Sequence, residues 1–174
     1  MLDKEQSLMK TCILYLSKLI FQFLPETKCF GLKRTLLRLA GVQVGKNVRI
    51  CSSAMFIGAG RLKIGDNTWI GHRCIISSSS YIKIGANCDL APNVYIGNGT
   101  HEITPQSERI ADIEISKEIT IGDGCWLCVN STILPGVHIA PKCVVAAGAV
   151  VTRDIEENMV LVAGIPAMIK SKFR

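Results

Sequence analysis

Histidine is the side chain whose charge changes nearest neutral pH, and this 174-residue chain has three: His72, His101 and His138. His72 follows Ile70-Gly71, and His138 sits in GVHIA; both lie inside a regular repeat, where an exposed polar residue is ordinary, so each is expected to face solvent. His101 is placed differently. It stands in YIGNGTHEITPQSERIADIEISKEITIG, residues 95–122, where the repeat halts for about twenty residues. An imidazole at the junction of a rigid repeat and a loop is the candidate for proton transfer. Cys125 and Cys128 form a CxxC, which suggests metal or redox chemistry, but the second pair that a structural zinc site needs is missing, so both are expected to be packing residues. The eight cysteines are scattered and no cleavage signature follows the first apolar segment, so they are read as reduced thiols filling small buried positions.

The elements that must position His101 follow from a period of six. Aliphatic residues recur at Val44, Ile50, Ile64, Ile70, Ile76, Ile84, Leu90 and Ile96, then at Ile121, Leu127, Ile133, Ile139, Val145 and Val151, often followed by glycine. Six residues suit one short strand and a corner; three such units close a triangular coil of 18 residues, and coils stack at about 4.8 Å. The pattern predicts an all-β parallel β-helix with an aliphatic core. Asn67, Asn87, Asn93 and Gly124 fall at expected corners, where a left-handed backbone is tolerated. A β-sandwich would need alternation and hairpin turns, which the repeats lack. The interruption, about 98–118, is expected to be one long unpatterned loop that projects from the coils and serves function. It carries five acids against Arg109 and Lys117, a poor setting for phosphates.

Residues 1–41 are read as a separate amphipathic helical segment and 42–174 as the β-helix. Apolar residues from Ser7 to Leu24 recur at three- and four-residue steps, and LKRTLLRLA from Leu32 forms a second short helix ending at Gly41. The first helix is too short in its apolar run, and interrupted by Lys18, to span a membrane. It is expected to pack on the protein or a neighbouring subunit, with peripheral contact of residues 1–40 with an anionic membrane as the sharper alternative. Residues 1–50 hold nine Lys or Arg against three acids, while the rest of the chain is balanced. A neutral repeat region argues against a nucleic-acid partner.

The repeats, with ITIGDGCWLCVNSTILPGVHIAPKCVVAAGAVVTRDI from Ile119 and AGIPA from Ala163, resemble the hexapeptide-repeat acyltransferases of the left-handed β-helix family, and within it the maltose, galactoside and polysaccharide-associated O-acetyltransferases. The resemblance covers roughly residues 41–170, most specifically GTH at 99–101, IGDGCW at 121–126, ILPGV at 133–137 and VVTRD at 150–154. It implies a homotrimer with acetyl-coenzyme A in a groove between adjacent β-helices, no metal requirement, and His101 as the catalytic histidine. In that role His101 would deprotonate the acceptor hydroxyl as it attacks the thioester, without an acyl-enzyme, an effect worth about 10²–10⁴-fold. A backbone amide near Cys128 and Val129 would stabilise the tetrahedral oxygen. Ala147, in AAGAVV, matches the segment along which pantetheine binds. Thr152 and Arg153 match a Thr-Lys or Thr-Arg pair near the phosphates or adenine, and Pro166 a loop residue beside the adenine. Met168 stands where relatives often have a basic residue, so Lys170 or Lys172 would serve the 3′-phosphate. On the acceptor side the resemblance points to Trp126, Asn98, Arg73 and Ser79. Trp69-Ile70-Gly71 replaces the Tyr-x-Asn of the galactoside branch, so the acceptor is not expected to bind in that branch's manner.

The function expected is acetyl-coenzyme A-dependent O-acetylation of a sugar or polysaccharide-related hydroxyl, in the cytoplasm or at the inner face of the membrane. Alternatives are N-acetylation of an amino sugar, a metal-dependent hydratase of the carbonic anhydrase type, and a non-catalytic scaffold. The hydratase needs three imidazoles per zinc, two of them five positions apart, and position 106 is Gln. The scaffold has no use for His101 with Thr152-Arg153.

Overall fold

The computed structural model describes residues 4–173, with side chains from residue 8. Two helices, α1 (Lys4–Gln22) and α2 (Phe30–Leu39), precede a three-sided prism of short parallel strands. The first side stacks Gln43–Val44, Arg61–Ile64, Tyr81–Ile84, Ile119–Ile121 and His138–Ile139; the second runs from Arg49–Ile50 through Trp69–Ile70, Asp89–Leu90, Trp126–Leu127 and Val144–Val145 to Val160–Ala163. The third stacks Met55–Ile57, Ile75–Ser77, Tyr95–Gly97, Thr132–Ile133 and Val150–Val151. The final strand, Met168–Lys172, folds back antiparallel on Val160–Ala163.

Each expected aliphatic column forms. Val44, Ile64, Ile84, Ile121 and Ile139 are in register on the first side, and Ile50, Ile70, Leu90, Leu127, Val145 and Val162 on the second. All are buried, since three flat sides leave room inside for one aliphatic side chain per side and coil. The coil is 18 residues from Ile121 to Ile139, and 20 from Val44 to Ile64 and from Ile64 to Ile84, where the aliphatic series lengthens between Ile50 and Ile64 and between Ile76 and Ile84. Asn67, Asn87, Asn93 and Gly124 occupy left-handed corners with φ of 58°, 55°, 60° and 71°. The glycine after the aliphatic residue has a separate cause: a Cβ on Gly65, Gly85 or Gly122 would fall under 3.0 Å from backbone of the next coil.

Strand direction also accounts for the basic residues of α2. Ile64, Thr68 and Ile70 accept, through their carbonyls, the N–H groups of Gly45, Arg49 and Cys51 in the preceding coil. The equivalent carbonyls of the first coil, Val44, Val48 and Ile50, have no preceding coil. They are capped by Arg38, Arg34 and Lys33 of α2. Lys33 is fully buried, and its Nζ also donates to the carbonyls of Pro25 at 3.1 Å and Glu26 at 2.8 Å. Cationic donors with no acceptor of their own are suited to an open edge of carbonyls. α1 packs inward through Lys10, Leu14, Ser17 and Phe21, Lys10 donating to the Gly60 carbonyl. α2 stops where expected: Gly41 has φ 79°, and the Val42 N–H returns to the Leu37 carbonyl.

Five cysteines, Cys51, Cys74, Cys88, Cys125 and Cys143, fill core positions as expected; Cys12 and Cys29 are exposed instead, because they lie on the helical segment outside the prism.

Candidate active site

The interruption is not an unpatterned loop. Gly99–Ile103 and Ala111–Ser116 pair antiparallel as a two-stranded hairpin that leaves the exit edge of the third side, directly after Tyr95–Gly97. Its turn is closed by Thr104 N–H on the Ile110 carbonyl and by Ser107 Oγ on Asp112 Oδ2 at 2.7 Å.

Asn98 fixes the hairpin's base. The residue was expected on the acceptor side; the structure corrects this. It is fully buried, Oδ1 accepting from the Ser79 N–H at 2.7 Å, and Nδ2 donating to Ser80 Oγ and the Tyr81 carbonyl. Its own carbonyl accepts the Lys117 N–H at the far end of the hairpin. With the amide saturated, Asn98 positions the hairpin and Ser79 rather than an acceptor.

His101 lies opposite Glu114, and a register shift follows between His101 and Ile103. That shift brings the Asp112 carbonyl 3.3 Å from His101 Nδ1. A carbonyl only accepts, so this contact takes its proton from Nδ1, and in the neutral imidazole Nε2 then holds the lone pair. The sequence neighbour Glu102 has no part in this contact. A cavity of about 400 Å³ opens beside the imidazole, lined by Ser79, Gly99, Thr100, His101, Glu114, Ile115 and Ser116. Ser79 and His101 are therefore together. Thr100, Glu114 and Ser116 had no sequence signal, because their convergence depends on hairpin register.

The other candidates frame the third side further along. Val129 and Ala147 sit at its entry edge, where the Gly148 N–H donates to the Val129 carbonyl, and Thr152 and Arg153 leave its exit edge after Val150–Val151. Pro166 is held beside the same strand: the Val150 N–H binds the Gly164 carbonyl, and the Ala167 N–H binds the Val150 carbonyl. Val150–Val151 is two strands from Tyr95–Gly97, through Thr132–Ile133, a separation of about 10 Å. Arg153 shares a cavity at the end of the prism with Asp154, Glu156 and Glu157. Lys172 pairs with Glu157 at 3.1 Å, leaving Lys170, exposed on the last strand, as the nearer candidate cation.

Two acceptor candidates are not brought to His101 on one chain. Trp126 is half exposed on the second side, paired with Asp89 and Val144. Arg73 occupies a left-handed corner at the entry edge, φ 55°, with its N–H on Ser53 Oγ. Trp69 is half-buried, packed edge-on against Phe30 and under Arg49.

His138 is exposed on the first side, as expected, with Nδ1 2.6 Å from Thr120 Oγ1. His72 is not free in solvent: it is partly buried, with Nδ1 3.6 Å from Cys51 Sγ. Among the described residues neither His101 nor His138 belongs to a group of three potential metal-ligating side chains. Cys125 lies in the core with its thiol on the Ala140 carbonyl; the hydrogen bond with Cys88, then burial, pushes its pKa up. Burial raises Cys128 as well, so neither is poised as a thiolate.

Two family patterns match the chain: one described as "Bacterial transferase hexapeptide (six repeats)" over residues 118–153, and one described as "Hexapeptide repeat of succinyl-transferase" over residues 61–98. The chain is 31% identical over 150 residues to WcaF of Escherichia coli, a protein named for acetyl transfer in colanic acid biosynthesis, covering 86% of this chain and 79% of WcaF. It is 40% identical over 109 residues to YJL218W of Saccharomyces cerevisiae, also named for acetyl transfer, covering 63% of this chain; the match spans only 55% of the yeast protein's length. Among solved structures, a galactoside acetyltransferase in complex with coenzyme A superimposes with a TM-score of 0.76 at 24% identity, covering 97% of this chain and 80% of that one.

Proposed function

The chain belongs to the hexapeptide-repeat acetyltransferase family and shares its left-handed β-helix, and from that premise we propose that it transfers acetyl from acetyl-coenzyme A to a hydroxyl of a sugar or polysaccharide-related acceptor, with His101 as general base. The observation that carries the reading is the hydrogen bond from His101 Nδ1–H to the Asp112 carbonyl, which in the neutral imidazole frees Nε2 to accept a proton, on a residue that lines a cavity of about 400 Å³.

In the proposed step the acceptor hydroxyl gives its proton to Nε2 as its oxygen bonds to the thioester carbonyl carbon. The carbon–sulfur bond then breaks, and the coenzyme thiolate takes a proton back from the imidazolium. A backbone amide near Val129 holds the transient oxyanion. Val129, Ala147, Thr152, Arg153, Pro166 and Lys170 are assigned to the coenzyme, and Ser79 to the acceptor, with no metal in the step.

We assign the complete site to a homotrimer. Trp126 and the His101 hairpin lie on different sides of one prism, and the hairpin holds Ile103, Ile110 and Ile113 exposed, an apolar surface suited to a second copy. An acceptor screen that follows release of coenzyme A thiol tests the activity. Acceptor-dependent release with hydroxyl-bearing glycans is expected; release only with amino sugars would replace O- by N-acetylation, and none with either would refute the reading.

No helix among the described residues is long and apolar enough to cross a membrane. The basic side chains of α2 are committed to the first coil, which leaves exposed Lys18 and Lys28 as cations the helical segment offers a bilayer. Its outward stripe is apolar: Leu8, Tyr15, Leu16, Leu19 and Phe23, the last 88% exposed. We assign this stripe to shallow peripheral membrane contact. Cosedimentation with anionic vesicles is expected for the full chain and is expected to be lost in a Leu16→Ser, Leu19→Ser, Phe23→Ser variant; equal recovery of both in the supernatant would refute the assignment.

A further inference from the structure

Away from the His101 hairpin, at the entry edge of the first two coils, three potential ligands converge. Glu26 comes from the linker between α1 and α2, Cys51 from the end of the strand Arg49–Ile50, and His72 from the same corner one coil later. One ligand atom from each lies within 4.8 Å of the other two. Cys51 Sγ and His72 Nδ1 are 3.6 Å apart. Bond lengths of about 2.3 Å to sulfur and about 2.05 Å to nitrogen at a tetrahedral angle place those two atoms about 3.5 Å apart around zinc.

The backbones that carry the three side chains are pinned independently. Cys51 N–H binds the Ile70 carbonyl at 2.9 Å, and its carbonyl accepts the Ala54 N–H; His72 accepts the Asn93 N–H at 2.8 Å; Glu26 accepts the Ser52 N–H at 3.2 Å. Glu26 Oε2 is further oriented by the N–H and hydroxyl of Ser53, each at 3.1 Å, the kind of outer support that ligating carboxylates have. Burial is graded, with Cys51 buried, His72 partly buried and Glu26 exposed, so an ion could enter from solvent.

We propose that Glu26, Cys51 and His72 form a Zn²⁺ site, completed by water, that clamps the helical linker to the first two coils. One thiolate, one imidazole and one carboxylate suit zinc, which is borderline-soft, better than calcium or magnesium. Binding transfers the Cys51 thiol proton to solvent and involves no redox change. Burial, then the Glu26 carboxylate, pushes the free thiol up to about 11, with Lys33 pulling it back. The Lys33 ammonium, bound to the Glu26 and Ile50 carbonyls, thus repels the cation but also favours the thiolate the cation needs. The role is structural, on the opposite edge of the third side from His101, and stands whatever the fate of the acetyl-transfer reading.

Cobalt(II) titration of the full-length protein tests this without reference to activity. Expected is one Co²⁺ per chain with a thiolate-to-cobalt charge-transfer band, displaced by Zn²⁺, and a higher melting temperature with Zn²⁺. Cys51→Ser should abolish the band. His72→Asn, at a partly exposed position where folding is not at risk, should weaken binding by at least about 10–100-fold, the range that loss of one supporting partner already costs. Cys128→Ser should leave both signals unchanged. Absence of the band in the wild type, its survival in Cys51→Ser, or unchanged affinity in His72→Asn would each overturn the proposal.

Discussion

Replacing His101 by alanine is expected to lower kcat/KM for acetyl transfer by about 10²–10⁴-fold, the range for loss of a positioned general base. The stability of the variant should stay within about 0.5 kcal/mol of wild type, because an exposed side chain outside the core is being trimmed. The substitution removes one side-chain hydrogen bond, that from Nδ1 to the Asp112 carbonyl. Steady-state kinetics beside a denaturant titration separate the two effects. A variant that kept wild-type kcat/KM would remove His101 from the mechanism; one that lost activity and stability together would make the imidazole a structural element of the hairpin.

The second large effect is expected at the opposite end of the prism. Lys33→Met keeps most of the side chain's volume but uncaps the carbonyls of Pro25, Glu26 and Ile50, which Lys33 Nζ meets at 3.1, 2.8 and 3.0 Å. The Pro25 carbonyl keeps the Lys28 N–H and Ser52 Oγ and the Glu26 carbonyl keeps the Ser52 N–H, so the buried Ile50 carbonyl bears the loss, and a destabilisation of about 1–3 kcal/mol is expected. Hydrogen exchange should locate the damage: amides of α1, α2 and the first coil should open, while the coils beyond Ile121 keep their protection. Denaturation midpoints that match wild type would mean that these carbonyls find water, and that the edge needs no cation.

The same lysine illustrates what could and could not be read from the sequence. The period of six was legible because each coil needs one aliphatic side chain per side, and the Ile-Gly pairs because the next coil's backbone passes too close for a Cβ. The position of His101 was legible as the place where that rule stops. The hairpin after it was not: Ile103, Ile110 and Ile113 are all exposed, so no buried face imprinted a period of two. The partner of His101 was equally hidden, since Asp112 reaches Nδ1 only through the register shift after His101.

The basic amino-terminal segment was visible as a charge excess, but its purpose depended on strand direction. Only once the first coil is known to present carbonyls at its open edge do Lys33, Arg34 and Arg38 become caps instead of a binding surface. Asn98 was misplaced for a related reason, because a buried amide that satisfies residues 79–81 looks, in one dimension, like any polar residue near a histidine. The convergence of Glu26, Cys51 and His72 was hidden because Cys51 and His72 stand 21 positions apart on successive coils and Glu26 on the linker between the helices.

Direct, base-assisted attack at His101 is tested most directly by single-turnover chemical quench with acetyl-labelled acetyl-coenzyme A, excess enzyme and a competent acceptor. Label is predicted to leave the coenzyme and appear on the acceptor hydroxyl at one rate, with none on the protein at any time and a correspondingly slow transfer in His101→Ala. Label held on the protein between the two, or transfer at wild-type rate in His101→Ala, would contradict it.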